Sequence, residues 1–138
     1  MKALAPVSDI MTTQVVQLNV TDHLSKAEEL FKTHNIRHIP VMSNHKIVGI
    51  LSYSDLLKVS LADFDENDAC VETTVYNMFT LEQVMTKDVV TVYSYTPIRE
   101  VAEILCKNDF RALPVVYSDN LVGIVTSTDL IKYLLSKF

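Results

Sequence analysis

The sequence predicts a mixed α/β (α+β) fold in which one β-α-β-β-α unit occurs twice. The first observation is an ungapped internal repeat, since residues 11–58 align with residues 85–132 at one constant offset. The second is that the only two glycines of the chain, Gly49 and Gly123, are partners at that offset. Chance alignment does not pair rare residues in this way, so the chain is a tandem repeat.

The order of elements within each repeat follows from its hydrophobic pattern. Apolar residues at helical spacing predict amphipathic helices, and apolar runs joined by a polar turn predict a hairpin. For the two repeats in turn, we predict extended pieces at 15–18 and 89–92. Helices follow that are capped by Thr21-Asp22 and by Thr96 (with Pro97 at the first helical position) and that end near Asn35 and Asn108. Each repeat then has a hairpin, with strands at 36–42 and 47–51 or at 110–116 and 121–125, and a last helix after Asp55 or Asp129.

These elements divide the chain into a first repeat at 7–62, an acidic linker or insertion at 63–80 and a second repeat at 81–138. A core is difficult to close with about sixty residues. We therefore expect the two repeats to pack together as one globule.

Composition limits the class of protein. Of the 138 residues 49% are hydrophobic, which is enough for a real core and excludes a disordered chain. The net charge of -5 argues against a nucleic-acid surface. Cys70 and Cys106 stand alone, outside any metal spacing, which favours a reducing cytoplasm. No apolar segment reaches a membrane-spanning length, so we expect no membrane contact.

One stretch in each repeat carries the functional signal. Gly49–Asp55 and Gly123–Asp129 each begin as a buried strand, become rich in hydroxyls and end on Asp where a helix starts. The free N–H groups and positive dipole end of such a helix suit a phosphate. The candidate binding side chains are Ser52, Ser54, Asp55, Thr126, Thr128 and Asp129. The alternative is that they only cap the helix.

Basic residues form a second signal. Arg37 and Arg111, two of the three arginines, are partners in the repeat. The guanidinium fork suits phosphate, although both side chains could instead lie along the solvent face of a strand. His38 is open between a phosphate contact and an ordinary polar position.

No metal site is predicted. The other histidines have no metal spacing. Residues 63–68 resemble the opening of a calcium loop, but Asp68 stands where that loop needs Gly and Thr74 where it needs its final Glu. A solvated acidic linker is the preferred interpretation.

Three ordered motifs resemble those of the cystathionine-β-synthase (CBS) domain. They are Arg-Ala-Leu-Pro-Val-Val at 111–116, Val-Gly-Ile-Val at 122–125 and Thr-Ser-Thr-Asp at 126–129. The first repeat carries Arg-His-Ile-Pro-Val-Met, Val-Gly-Ile-Leu and Ser-Tyr-Ser-Asp in the same order. The resemblance covers nearly the whole chain and implies a tandem CBS pair, packed as a pseudo-two-fold Bateman-type module.

The resemblance implies a regulatory module that binds an adenosine-containing ligand (AMP, ADP, ATP or S-adenosylmethionine) in clefts between the repeats. By similarity, Asp55 and Asp129 would accept ribose hydroxyls. The similar regulatory subunit of AMP-activated protein kinase holds phosphate at positions that match Arg37, His38, Arg111 and Ala112, and Ala112 departs from a basic residue. Adenine would contact Thr12, Val16, Ile36 and His38 in one cleft and Thr86, Val90, Phe110 and Ala112 in the other.

The resemblance also implies a homodimer, with no cofactor required. We expect the cleft headed by Asp129 to bind more tightly, and its signal to reach a regulated protein partner. The alternative function is a dimeric interaction scaffold with vestigial clefts. Catalysis is not predicted, because no nucleophile–base pair, phosphate-cradling glycine loop or metal cluster occurs in the sequence.

Overall fold

Two compact units make up the chain, and their limits differ from those of the sequence repeats. The computed structural model describes residues 5–62 and 78–138. Val16–Val89 forms what we call the contiguous unit, and Met1–Val15 together with Val90–Phe138 forms the split unit. The candidate calcium loop, Cys70 and most of the predicted linker lie outside the described residues.

The contiguous unit holds one mixed three-stranded sheet, in which β1 runs parallel to β2 and β2 pairs antiparallel with β3. The predicted helix–hairpin–helix order is confirmed, with strand bounds shifted by one to three residues. The elements are β1 (Leu18–Asn19), α1 (Leu24–His34), β2 (His38–Ser43), β3 (Lys46–Ser52), α2 (Tyr53–Ala62) and α3 (Leu81–Val84).

The split unit repeats this sheet with the same order and directions. It adds a 3-10 turn from the N-terminal segment, whose Val7 is fully buried in the unit's core. The elements are the turn Val7–Asp9, β4 (Val92–Tyr93), α4 (Ile98–Lys107), β5 (Ala112–Tyr117), β6 (Asn120–Thr126) and α5 (Ser127–Leu135). The fold is therefore α+β, with a closely matched sheet in each unit.

The predicted caps of the first helix in each repeat are wrong. His23 and Pro97 hold the N-cap positions, and neither side chain caps its helix. The Asp22 carboxylate instead accepts the Asn19 N–H at 2.8 Å. The Thr96 hydroxyl accepts the Tyr93 N–H at 2.9 Å. The side-chain oxygens of Asp22 and Thr96 thus accept from the backbone of the turn after a short strand. This turn competes with the helix N-terminus for the same side-chain acceptor.

Each unit is completed by a segment that belongs, in sequence, to the other repeat. In the split unit the Thr12 N–H donates to the Ile124 carbonyl at 2.8 Å, and the Ile124 N–H donates back at 3.0 Å. In the contiguous unit Thr86 and Ile50 exchange the same two bonds, both at 3.0 Å. The segments that carry Thr12 and Thr86 thus pair antiparallel with the hairpin strand that leads to each candidate site.

The two glycines are explained by these exchanged segments. A Cβ on Gly49 would lie 2.9 Å from the Cγ of Met85, and a Cβ on Gly123 would lie 2.6 Å from the Sδ of Met11. Neither glycine has a positive φ. Gly is needed because a methionine packs on the strand backbone, leaving no room for a side chain.

Candidate functional site

The end of β3 and the start of α2 form a closed hydrogen-bonded junction. The Ser52 N–H donates to Oδ2 of Asp55 at 3.2 Å, and the Asp55 N–H donates to the Ser52 hydroxyl at 3.0 Å. The Ser52 and Ser54 hydroxyls lie 3.1 Å apart. Three candidate side chains from the sequence are therefore brought together at one helix N-terminus.

The same junction forms between β6 and α5. The Thr126 N–H donates to Oδ2 of Asp129 at 3.0 Å, and the Asp129 N–H donates to the Thr126 hydroxyl at 3.2 Å, which completes a capping box. Thr128 is exposed beside them. Each aspartate therefore takes part in the cap of its helix, and in α5 the N-cap residue is Thr126, not Thr128 or Asp129.

Capping leaves part of each carboxylate available. Only Oδ2 of Asp55 and of Asp129 is used by the cap, and within the described residues Oδ1 accepts no hydrogen bond. Both side chains are half-buried, and an ionised carboxylate can accept at either oxygen. The cap fixes the orientation of the carboxylate. Binding a ligand hydroxyl would therefore cost no further side-chain conformational entropy.

His38 shares a sheet face with the first junction. It stands directly opposite Ser52 in the antiparallel register, and such partners project to the same side. Burial lowers the pKa of His38, against the opposing effect of the Asp55 charge, which raises it. A neutral imidazole therefore lies near the Asp55 carboxylate at neutral pH. The corresponding residue of the split unit is Ala112, which is buried and stands opposite Thr126.

Arg37 contacts an aromatic ring. Its carbonyl accepts the Tyr53 N–H at 2.8 Å, and its guanidinium carbon lies 5.7 Å from the centre of the Tyr53 ring. Phe31 meets the same ring edge-on, with centres 5.4 Å apart. These side chains line an open pocket of about 170 Å³ that is completed by Lys32, Asn35 and Ile36.

Arg111 accepts the same backbone hydrogen bond as Arg37, but the residue that donates it has no aromatic ring. Its carbonyl accepts the Ser127 N–H at 3.0 Å, so Ser127 stands where the contiguous unit has Tyr53. The Arg111 side chain is exposed. Sequence reasoning missed Tyr53, although comparing position 53 with position 127 in the aligned repeats would have shown the difference.

The predicted adenine contacts are divided differently between the two sites, because Thr12 and Thr86 exchange units. Thr86 is in the contiguous unit with the half-buried Val16 and Ile36, which pack on that unit's core. The split unit holds Thr12 together with Val90, Phe110 and Ala112. Thr12 and His38, which the sequence analysis grouped in one cleft, thus belong to different units, and Thr12 pairs with Ile124 of the split unit.

Other kinds of site are not found in the described part of the chain. Residues 5–62 and 78–138 contain no group of histidine, cysteine or acidic side chains that could hold a metal ion. None of the helices described is both long enough and apolar enough to cross a membrane.

The CBS domain family model matches the chain twice, at residues 7–62 and 81–136. The chain belongs to the CBS domain family. Both matches contain a strand-to-helix junction that ends on Asp, at Asp55 and at Asp129. The two CBS matches are sequence repeats, whereas the folded units exchange the segments that carry Thr12 and Thr86.

Known CBS proteins resemble the chain over most of its length. Uncharacterised protein MJ1225 of Methanocaldococcus jannaschii is 31% identical over 130 residues, which are 94% of this chain and 42% of MJ1225. YhcV of Bacillus subtilis, a CBS domain-containing protein, is 28% identical over 92% of this chain and 84% of its own length. The chain spans less than half of MJ1225, so no whole-protein activity is carried over from it.

Solved structures share the fold. The CBS domain pair of protein MJ0100, in complex with 5′-methylthioadenosine and S-adenosylmethionine, matches with a TM-score of 0.82 and 28% identity. The match covers 98% of this chain and 99% of that one. MJ1225, described as a candidate archaeal homologue of γ-AMPK, matches with a TM-score of 0.80 over 97% of this chain and 49% of its own.

Proposed function

We propose that this CBS pair is a regulatory module that binds an adenosine-containing small molecule. The observation that carries the proposal is the pair of junctions at Ser52–Asp55 and Thr126–Asp129, where a capped helix N-terminus presents hydroxyls beside a carboxylate with one oxygen left over. A ribose diol needs such an acceptor, and a phosphate or other polar tail needs the hydroxyls and N–H groups.

The relatives favour adenosine as the recognised group. The CBS pair of MJ0100, which matches this chain from end to end, holds 5′-methylthioadenosine and S-adenosylmethionine. Both molecules contain adenosine and lack a phosphate. The ligand of this chain is therefore proposed at the level of adenosine, with AMP, ADP, ATP and S-adenosylmethionine as candidates.

The candidate roles follow from position. Asp55 and Asp129 would accept ribose hydroxyls, and Ser52, Ser54, Thr126 and Thr128 would contact the tail of the ligand. The apolar positions Val16, Ile36, Val90 and Phe110 would line the adenine, with Thr86 and Thr12 completing the contiguous and split sites respectively. Arg111 is the candidate cation for a phosphate in the split unit.

Ligand-induced stabilisation tests the proposal. A ligand at about a hundred times its dissociation constant adds about 2.7 kcal/mol to the free energy of unfolding, which shifts the melting temperature by several degrees. We expect that shift with one or more of adenosine, AMP, ADP, ATP, 5′-methylthioadenosine and S-adenosylmethionine. GMP and GTP, the matched controls, should have less effect.

A different outcome would favour the second function. If none of the adenosine compounds moves the melting temperature at millimolar concentration, the chain is better described as an interaction scaffold with vestigial clefts. Mass spectrometry of small molecules released from the purified protein would name a retained ligand. A homodimer and a regulated protein partner remain part of the proposal in either case.

A further inference from the structure

Arg37 is held in place by an aromatic clamp, which we define as the rings of Tyr53 and Phe31. The guanidinium lies over the Tyr53 ring at 5.7 Å, within the range of a cation–π interaction. The ring is braced edge-on by Phe31, whose side chain is buried in the core of the unit. The clamp is therefore part of the packed unit.

The clamp is next to the first junction in sequence but takes no part in its hydrogen-bonded cap. His38 faces Ser52 and feels the charge of Asp55, so these three side chains share one face. Arg37 precedes the first residue of β2, and its guanidinium packs on the Tyr53 ring. This contact competes with any contact between the guanidinium and a ligand phosphate.

The split unit carries no ring at this place. Ser127 makes the same backbone bond to Arg111 that Tyr53 makes to Arg37, at 3.0 Å and 2.8 Å respectively. The bracing residue also differs, since Leu105 aligns with Phe31. Both arginines are exposed, so the difference between the two positions is the aromatic clamp on Arg37.

We propose that Tyr53 is a positioning residue that holds Arg37 over its ring, so that the contiguous unit favours adenosine compounds without a phosphate, while Arg111 leaves the split unit able to take a phosphate. This rests on the proposed function. It also revises the expectation that Arg37 itself holds phosphate. His38 does not replace the cation, because its burial favours the neutral imidazole.

The test compares AMP with adenosine, two ligands that differ only by the phosphate. Tyr53→Leu removes the ring while keeping an apolar side chain against Phe31. Titration calorimetry should show AMP binding to the contiguous unit about two- to fivefold more tightly than in the parent, the ratio that corresponds to an exposed cation–π contact. Adenosine affinity should stay unchanged, which a general loss of structure would not produce.

Three further variants complete the design. Tyr53→Phe keeps the ring and should behave as the parent. Tyr53→Leu combined with Arg37→Ala should lose the gain in AMP affinity, because the released guanidinium is absent. Tyr53→Ser, which introduces the residue of the other repeat, should reproduce the gain if the leucine variant folds poorly.

The outcomes separate this inference from the proposed function. If both ligands bind the parent and AMP affinity is the same in Tyr53→Leu and Tyr53→Ser, the clamp has no role in selection, although adenosine binding stands. A gain that survives removal of Arg37 would also overturn the inference. If neither parent nor variants bind any adenosine compound, the proposed function fails and the inference fails with it.

Discussion

Met11 packs on the backbone of Gly123 so closely that a Cβ at that glycine would lie 2.6 Å from the methionine Sδ. The same Cβ would lie 2.9 Å from the carbonyl oxygen of Thr12. That oxygen cannot move freely, since it accepts the Ile124 N–H at 3.0 Å. At Gly49 the nearest atoms all belong to the flexible side chain of Met85.

Gly123→Ala should therefore destabilise the protein more than Gly49→Ala. Overpacking of this kind costs about 1–3 kcal/mol, and we expect Gly123→Ala near the upper end because a fixed carbonyl is in the way. Gly49→Ala should be milder, since the end of Met85 can shift. Urea unfolding of the two variants measures the difference.

Truncating the methionines provides the control. Adding Met85→Ala to Gly49→Ala should cost less than the sum of the two single changes, because the alanine methyl fills space that the methionine leaves. Adding Met11→Ala to Gly123→Ala should recover less, since the contact with the Thr12 carbonyl remains. Equal coupling in both pairs would contradict this account.

Asp129→Ala should weaken adenosine binding more than Asp55→Ala. Loss of a charged acceptor costs about 1.5–3 kcal/mol, or on the order of ten- to a hundredfold in affinity. Both aspartates make the same reciprocal cap, with bonds of 3.0 and 3.2 Å in each unit. Loss of the cap should therefore destabilise the two units alike, by about 0.5–2 kcal/mol.

Calorimetry with adenosine, set beside urea unfolding of the same two variants, separates the ligand contact from the cap. A larger loss of affinity for Asp129→Ala at a similar loss of stability is the expected result. Equal losses of affinity would remove the predicted asymmetry between the sites.

Stability should depend on pH through His38. Burial, the larger influence, lowers the pKa of this imidazole below its ordinary value of 6.5, so the folded state binds fewer protons than the unfolded state at mildly acidic pH. Its contribution is therefore fully favourable above 6.5 and declines as the pH falls from 6.5 towards the folded pKa. Urea midpoints between pH 8 and about pH 5 measure the decline.

His38→Gln should flatten this part of the profile, because glutamine does not titrate. His23→Gln, which changes an exposed histidine at the start of α1, is the matched control and should keep the slope of the parent. A profile that flattens in the control as much as in His38→Gln would assign the slope to another group.

The face of α5 should mediate homodimerisation. None of its residues is buried, and Ile131 and Leu135 are 56% and 65% exposed. Exposed apolar residues on one face of a helix are removed from water when a second copy packs on them, which stabilises a dimer. Light scattering at micromolar concentration should give a dimer mass, and Ile131→Lys or Leu135→Lys should give a monomer.

Tyr117→Lys is the control for that experiment, since Tyr117 is also exposed but ends strand β5. It should leave the dimer intact. A monomeric mass for the unmodified chain would refute the prediction, and loss of the dimer in all three variants would show that α5 is not the specific contact.

The repeat and its hydrophobic pattern predicted most of the fold. Element order, the two hairpins and the Asp-ended junctions could be identified because helical and strand periodicities are local properties of the sequence. The caps were missed because Asp22 and Thr96 had two competing backbone partners within three residues, and sequence alone does not choose between them.

The exchange of Thr12 and Thr86 was missed for a different reason. Internal alignment shows which positions are equivalent, but it does not show whether a segment packs on its own repeat or on the other. The contacts of Gly49 with Met85 and of Gly123 with Met11 show which segment packs where, but these contacts are visible only in the structure. The clamp on Arg37 likewise depends on Tyr53, which is distant in sequence and adjacent through one backbone hydrogen bond.

The division of the chain also sets an order of events during synthesis. All of Val16–Val89 is synthesised before Val90–Phe138, so the contiguous unit has its complete sequence before the split unit does. Val7 and Thr12 are made before the contiguous unit, whereas their partners Thr96 and Ile124 are made after it. The segment that carries Val7 and Thr12 must therefore wait until Val16–Val89 has been made, and an interruption after residue 89 would leave it without its partners.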